Sequence, residues 1–238
     1  MSRYFYLTIH DKSINKLYTF DGYNDINGDY TDIFIGDTNN FQNTNTCVHI
    51  LLRKEYNHAE LLDLIHRPKC EIERKLDEGK SGTDMMLKGS LKYVIDTFTH
   101  IQIVNLNDVA TKGNPKVYLT PKRLLLGNQG WYQERFGAEP TKETDKTIDL
   151  IPSLQKYIDM DAISKQSWGT AKDLGEHFNN LKGTTWIISK ETIQKYPVTI
   201  EVKYINEKQT GGSNKMKWIK SVKRRSTYQR KQILNLKI

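Results

Sequence analysis

The stretch Gly79-Lys-Ser-Gly-Thr-Asp-Met-Met-Leu-Lys-Gly-Ser-Leu-Lys-Tyr-Val-Ile-Asp-Thr97 joins a glycine-rich turn to the most regular apolar pattern of the chain. Apolar residues recur every three or four positions from Met86 to Phe98, which is the period of one helix face. This pattern predicts a helix over residues 83–97. The β-rich run Ile101 to Leu106 follows, so helix and strand alternate here as they do in an α/β layer.

Strands joined by polar turns are expected before this helix. Apolar and polar residues alternate in four segments, and Asp-Gly, Asn-Gly and Gly-Asp pairs between them tolerate the geometry of tight turns. These segments are 4–9, 16–20, 32–35 and 47–52, and together they predict an antiparallel meander. The next apolar residues, Leu61, Leu62 and Ile65, have helical spacing and predict a short helix.

The second half of the chain predicts further helices and a hairpin. Helices are expected at 121–126, 144–159 and 170–181, and a strand at 185–188. Val198 to Tyr204 alternates like a half-buried strand, and its expected hairpin partner is 215–222. The order of elements predicts an α/β or α+β fold with three parts: residues 1–140, a helical segment 141–197, and a basic hairpin and tail 198–238.

The composition is that of a globular protein. Hydrophobic residues make up 37% and aromatic residues 10%, with a mean hydropathy of -0.66, which excludes collagen, a coiled coil and a disordered tail. No apolar run reaches the roughly 20 residues that span a bilayer, so no transmembrane segment or signal peptide is expected. A cytoplasmic or nuclear location follows, and Cys47 and Cys70 are expected to be buried thiols.

The positive charge is concentrated at the C-terminal end. Residues 203–238 hold eleven cationic side chains and one carboxylate, a net +10, so residues 1–202 carry -2 of the total of +8. Such a block attracts nucleic acid, anionic lipid or an acidic protein surface, and interleaved aromatic rings can stack on bases. The alternative is an edge strand whose lysines prevent aggregation. The candidate nucleic-acid-binding residues are Lys215, Lys217, Trp218, Lys220, Lys223, Arg224, Arg225 and Arg230.

The glycine-rich turn is a candidate anion site. Small residues allow backbone N–H groups to approach a phosphate, and the dipole of the following helix favours negative charge. The candidate residues are Gly79, Lys80, Ser81, Gly82 and Thr83. Their spacing differs from the P-loop pattern, and the alternative is a simple turn with Thr83 as the helix N-cap.

The order of these segments resembles that of GNAT-type N-acetyltransferases. The shared features are a strand, a Gly-rich turn, a helix beginning Gly82-Thr-x-x-Met-Leu, a second strand, and an aromatic pair before Phe136-Gly137. The Trp-Tyr-x-x-x-Phe-Gly-Ala wording is similar to that of acetyltransferase-like proteins of large DNA viruses. The resemblance implies a GNAT-like mixed sheet flanked by helices and acetyl-CoA as cofactor, with its pyrophosphate at the turn. It also implies that Tyr132 protonates the departing thiolate, and that the protein acts in the host cytoplasm or the virion.

Acyl transfer to an amine also needs a general base, and Glu71, Glu73 and Asp108 are candidates because they lie near expected strand ends. Asp77 and Lys80 depart from the family pattern at the turn. Two functions therefore remain open: an acetyl-CoA-dependent N-acyltransferase, with activity that is retained, weakened or lost, and a non-enzymatic protein that binds nucleic acid, other proteins or virion proteins.

Five potential metal ligands fall within 24 residues of one another, and their spacing matches no known zinc module. They are Cys47, His49, His58, His66 and Cys70. No metal site is predicted from this cluster.

Overall fold

A computed structural model describes residues 2–37, 46–64, 82–109, 111–112, 117–155 and 183–205. The chain forms two compact units, one from Met1–Ile101 with the residues from Lys195 onward, and one from Gln102–Gln194. The described strands are β1 Ser2–Asp11, β2 Lys16–Asn27, β3 Tyr30–Asp37, β4 Thr46–Arg53, β5 His58–Leu64, β6 Ile103–Asp108, β7 Thr111–Lys112, β8 Val117–Tyr118, β9 Glu139–Pro140, β10 Thr184–Ser189 and β11 Val198–Ile205. The described helices are α1 Gly82–Thr97, α2 Leu119–Leu125, α3 Trp131–Phe136, α4 Lys142–Gln155 and α5 Lys190–Gln194.

The first unit is built on an antiparallel sheet with the strand order β11-β1-β2-β3-β4-β5. The antiparallel meander expected from the sequence is therefore confirmed for β1 to β4. The turn expected at Asp21-Gly22 is wrong, because both residues lie inside β2 and pair with β3. The short helix expected around Leu61 is wrong, because His58–Leu64 is a strand that pairs with β4. Pairing with β4 outweighs the local spacing of two leucines, since a strand there completes the hydrogen bonds of a buried neighbour.

Helix α1 covers one face of this sheet, as its apolar pattern predicts. Its buried side chains include Leu87, Leu91 and Val94, and the helix packs against β1, β4 and β11. A Cβ atom at Gly89 would lie 2.0 Å from Ile9 Cδ1. The glycine therefore allows the helix backbone to approach β1 closely.

An aromatic core lies between the helix and the sheet. The Phe5 ring stacks on the Tyr93 ring at 4.5 Å and lies directly over Gly22, where a Cβ would be 2.1 Å from Phe5 Cζ. Asn24 Nδ2 donates a hydrogen bond of 2.6 Å to the Tyr93 hydroxyl, whose oxygen is 3.4 Å from that of Tyr204. The Asn24 amide nitrogen and the Tyr93 hydroxyl are thus joined inside this core, whereas Asn24 Oδ1 is buried without a hydrogen-bond partner.

The second unit combines a small antiparallel sheet, β6-β10-β9, with α2 to α5. Trp186 on β10 is fully buried, and its Nε1 donates to Thr184 Oγ1 at 3.0 Å. Gly130, just before α3, leaves room for this ring, because a Cβ there would lie 2.4 Å from it. The helices expected at 121–126 and 144–159 correspond to α2 and α4, and the one expected at 170–181 lies outside the described residues.

The fold is mixed α/β with mostly antiparallel pairing, in agreement with the coarse class expected from the sequence. β11 pairs with β1, and its expected hairpin partner, 215–222, lies outside the described residues. Cys47 is buried on β4 and disulfide-bonded, which corrects the expectation of a free thiol there. The only other cysteine, Cys70, is outside the described residues. None of the helices in the described segments is long and apolar enough to cross a membrane.

Candidate functional site

The predicted turn leads directly into α1. The helix begins at Gly82 and extends for 16 residues, which confirms the expected helix start. Gly79, Lys80 and Ser81 lie outside the described residues. Thr83 is only 7% exposed, and its hydroxyl has no hydrogen-bond partner.

The Thr83 hydroxyl lies in the first turn of α1, where backbone N–H groups are available as hydrogen-bond donors. The first four N–H groups of a helix have no partner within it, and the helix dipole makes this end partly positive. A buried hydroxyl without a partner is destabilising by about 1–3 kcal/mol unless something satisfies it. Thr83 Oγ1 and the first N–H groups of α1 can together bind an anion. Asp84 in the same turn already complements the dipole, so a bound anion would compete with that carboxylate.

Tyr132 lies on the short helix α3 in the second unit. Its side chain is buried, and its ring contacts Trp131 edge-on at 4.9 Å. α3 ends at Phe136 and is capped by Gly137, which has a φ of 65° and whose backbone N–H donates to the Gln133 carbonyl. Burial raises the pKa of the Tyr132 hydroxyl above its ordinary value, and the negative charge of Asp108 raises it further. Tyr132 is therefore neutral at physiological pH.

Asp108, at the end of β6, is the second predicted catalytic residue that the structure describes. It is buried, and Thr120 Oγ1 at the start of α2 donates a hydrogen bond to its Oδ2. Its charge acts on Tyr132, although the two residues are 24 positions apart. The predicted acid and one predicted base are thus electrostatically coupled within one unit.

The raised pKa limits what Tyr132 can do as an acid. An alkyl thiol such as that of cysteine titrates near about 8.5. Proton transfer from a tyrosine whose pKa lies above 10 to such a thiolate is uphill by at least about 2 kcal/mol. In this environment Tyr132 is a better hydrogen-bond donor than proton donor.

The other predicted site residues belong either to a different compact unit from Tyr132 or to parts of the chain that the structure does not describe. Tyr132 and the Gly82–Thr83 turn belong to different compact units, so their expected position around one cleft stays a prediction. The residues outside the described part of the chain are Glu71, Glu73, Lys215, Lys217, Trp218, Lys220, Lys223, Arg224, Arg225 and Arg230.

Sequence reasoning missed a buried histidine–carboxylate pair in the first unit. His49 Nε2 lies 2.9 Å from Asp32 Oδ1, its Nδ1 lies 4.0 Å from Asp63 Oδ2, and its ring stacks on Phe34. The sequence pattern identifies His49 only as a potential metal ligand. Within the described segments, no group of three or more His, Cys, Asp or Glu side chains is arranged to hold a metal ion. The signal that could have found the pair is the alternation of β3 and β4, which places Asp32 and His49 on one sheet face.

Comparisons with known proteins add no assignment. No family model matches the chain, and no curated protein or solved structure is significantly similar to it.

Proposed function

We propose that the chain is an acyl-CoA-binding protein of the N-acyltransferase type, with a GNAT-like arrangement and weak or lost catalysis. The observation that carries this proposal is the buried Thr83 hydroxyl, which has no partner at the start of α1. The pyrophosphate of coenzyme A has acceptor oxygens that can satisfy this hydroxyl and the N–H groups of the first turn. The residues expected to hold it are Gly79 to Thr83, as the sequence pattern indicates.

The environment of Tyr132 supports the weak catalysis in this proposal. An efficient general acid has a pKa near the working pH, whereas burial and Asp108 move the Tyr132 pKa in the opposite direction. Asp108 Oδ2 already accepts a hydrogen bond from Thr120 Oγ1, which occupies part of the carboxylate that would have to take a proton from the amine. Acyl transfer through this pair would therefore be slow.

Isothermal titration calorimetry with coenzyme A tests the proposal directly. We expect measurable binding by the wild-type chain, competition by inorganic pyrophosphate, and a large loss of affinity in Thr83→Val. Thr83→Ser keeps the hydroxyl and is the matched control, with affinity close to wild type. No binding of coenzyme A at millimolar concentration, or equal affinity in Thr83→Val and Thr83→Ser, would contradict the proposal.

A second candidate function is supported by the charge of the C-terminal segment. The excess of ten positive charges in residues 203–238 favours a non-enzymatic role in binding nucleic acid, an acidic protein surface or virion proteins, in the host cytoplasm or the virion. Asp77, two residues before the turn in the sequence, would repel a pyrophosphate and is in line with this alternative. Binding of a single-stranded oligonucleotide that weakens steeply as salt rises would support it, because neutralised phosphates release counterions.

A further inference from the structure

The strand β11 forms an edge of the sheet in the first unit. In the part of the chain that the structure describes, β11 pairs with β1 and with no other strand, and it stands at the end of the strand order. Backbone N–H and C=O groups on the other side of β11 therefore point away from the sheet. An edge of this kind can take up a further strand through main-chain hydrogen bonds.

β11 has few of the features that prevent edge pairing. Its register with β1 runs without a bulge along the whole strand, and residues 198–205 contain no proline. The strand holds one lysine, Lys203, and one carboxylate, Glu201, so it carries no net charge. Bulges, prolines and an excess of lysine are common means of blocking an edge. The outer edge of β11 is therefore suited to pairing.

The helix side of β11 is apolar and incompletely covered. Tyr204 lies opposite Phe5, whose ring stacks on Tyr93 of α1, and alternation places Ile200 and Val202 on the same side. Ile200 and Val202 are only half-buried, and Tyr204 is 44% exposed. A second apolar strand beside β11 would remove this surface from water, which is favourable.

An antiparallel copy of β11 is complementary to β11 itself. When two identical strands pair about a two-fold axis at Val202, Glu201 lies opposite the partner's Lys203, and Lys203 lies opposite the partner's Glu201. In the same register Ile200 lies opposite the partner's Tyr204. Opposite charges, and an aromatic ring across from a β-branched side chain, are both favourable cross-strand pairs.

Other registers of the same pairing lack this complementarity. Directly opposite residues share one face of a sheet, so the two-fold axis has to pass through a residue. An axis at Glu201 or at Lys203 would place two identical charges opposite each other, which is destabilising. An axis at Ile200 would pair only residues 198–202 of the strand. The sequence of β11 therefore favours Val202 as the centre.

We propose that β11 pairs antiparallel with β11 of a second copy of this chain, centred on Val202. The sheets of the two first units then continue into each other. The two-fold axis is perpendicular to the joined sheet, so both α1 helices lie on the same side of it. The inference depends on the edge, its half-exposed apolar side chains and its two charges, and not on binding of coenzyme A.

Sedimentation velocity of the full-length chain at low ionic strength tests the pairing. An edge contact is smaller than a standard protein interface of about 1,600 Å², so we expect a dimer with a dissociation constant in the micromolar range. Glu201→Lys places lysines opposite lysines, and Lys203→Glu places carboxylates opposite carboxylates. Each variant alone should therefore dimerise about tenfold more weakly than wild type.

Mixing the two variants is the decisive measurement. A Glu201→Lys chain paired with a Lys203→Glu chain has opposite charges at both positions, so the mixture should form a heterodimer with an affinity close to that of wild type. The matched controls are Lys54→Glu and Glu55→Lys, which change two exposed residues in the turn after β4. These variants should dimerise like wild type, alone or mixed. Circular dichroism checks that all four variants are folded.

A disulfide across the axis gives a second readout that does not depend on charge. Residues directly opposite in an antiparallel pair have Cα atoms about 4.5–5.5 Å apart, which is within the range of a disulfide. Val202→Cys should therefore form a covalent dimer on air oxidation. Thr199→Cys is the control, because the two copies of residue 199 would lie six residues apart along the pair, roughly 20 Å, and it should not cross-link.

Four outcomes would overturn the proposal. They are a wild-type chain that stays monomeric up to about 0.1 mM, charge variants that dimerise as well as wild type, a mixture that does not recover, and equal cross-linking of Val202→Cys and Thr199→Cys. A monomeric wild-type chain would leave the edge to residues 215–222, the hairpin partner expected from the sequence.

Discussion

Replacing Thr83 by valine should make the unliganded protein more stable. The Thr83 side chain is 7% exposed and its hydroxyl has no hydrogen-bond partner. Valine has nearly the same shape, and its helix propensity is close to that of threonine. The substitution therefore removes a buried polar group without opening a cavity.

The expected gain follows from the desolvation of that hydroxyl. Leaving a buried hydroxyl unsatisfied costs about 1–3 kcal/mol. Replacement by valine recovers only part of this free energy if neighbouring atoms must shift around the new methyl group. We expect the free energy of unfolding to rise by about 1 kcal/mol, which corresponds to roughly 2–4 °C in Tm for a chain of this size. With saturating coenzyme A, the wild-type chain should instead be more stable than Thr83→Val. A ligand that binds only the folded wild-type chain adds about 2.7 kcal/mol to its free energy of unfolding at a hundredfold excess over its Kd.

Urea unfolding monitored by circular dichroism measures this difference. Thr144→Val is the matched control, because Thr144 is also buried but donates to the Thr185 carbonyl at 2.7 Å and accepts from the Thr185 N–H at 2.8 Å. That variant should lose about 1–3 kcal/mol. A loss of stability in Thr83→Val similar to that of Thr144→Val would show that the Thr83 hydroxyl is satisfied, and the anion-site argument would fail.

Three further predictions concern the cores of the two units. Burial, and then the Tyr204 hydroxyl, raise the pKa of Tyr93. The stabilising effect of the neutral Tyr93 side chain is therefore complete below about pH 10, where tyrosine in the unfolded chain is also neutral, and is lost as the pH rises further. In urea titrations at alkaline pH, the stability difference between wild type and Tyr93→Phe should shrink by about 1.4 kcal/mol per pH unit. Gly22→Ala should destabilise the first unit by about 1–3 kcal/mol, since its methyl group would overlap the buried Phe5 ring, and a neutral result would mean that this ring moves freely. Thr120→Val should lower the free energy of unfolding by about 1–3 kcal/mol at neutral pH, because Asp108 loses a hydrogen bond. If calorimetry finds no change, the Thr120 hydrogen bond does not stabilise the buried Asp108 carboxylate.

The candidate site was only partly predictable from the sequence. The start of α1 at Gly82 was predictable because a glycine-rich segment before a periodic helix is a local pattern, and anion binding at this turn stays a prediction. The isolation of the Thr83 hydroxyl was not predictable, because it depends on what surrounds the start of the helix. The sequence predicts Tyr132 and Asp108 as catalytic residues on separate grounds. Only folding brings them close enough for the charge of Asp108 to raise the pKa of Tyr132.

Local periodicity predicted β1, the first part of β2, β3, β4 and α1, since alternation and a repeat of three or four residues specify which side of an element is apolar. The continuation of β2 through Asp21 and Gly22 depends on its pairing with β1 and β3. Tertiary structure decided what depends on distant partners. Leu61 lies in a strand because β4 offers hydrogen bonds, and β11 joins β1 across almost two hundred residues. The alternation of β2 places Asp21 and Asp25 on one side, yet their burial comes from the assembled sheet. Pairing and burial are properties of the whole chain, because each residue contributes only one of the two contacting surfaces.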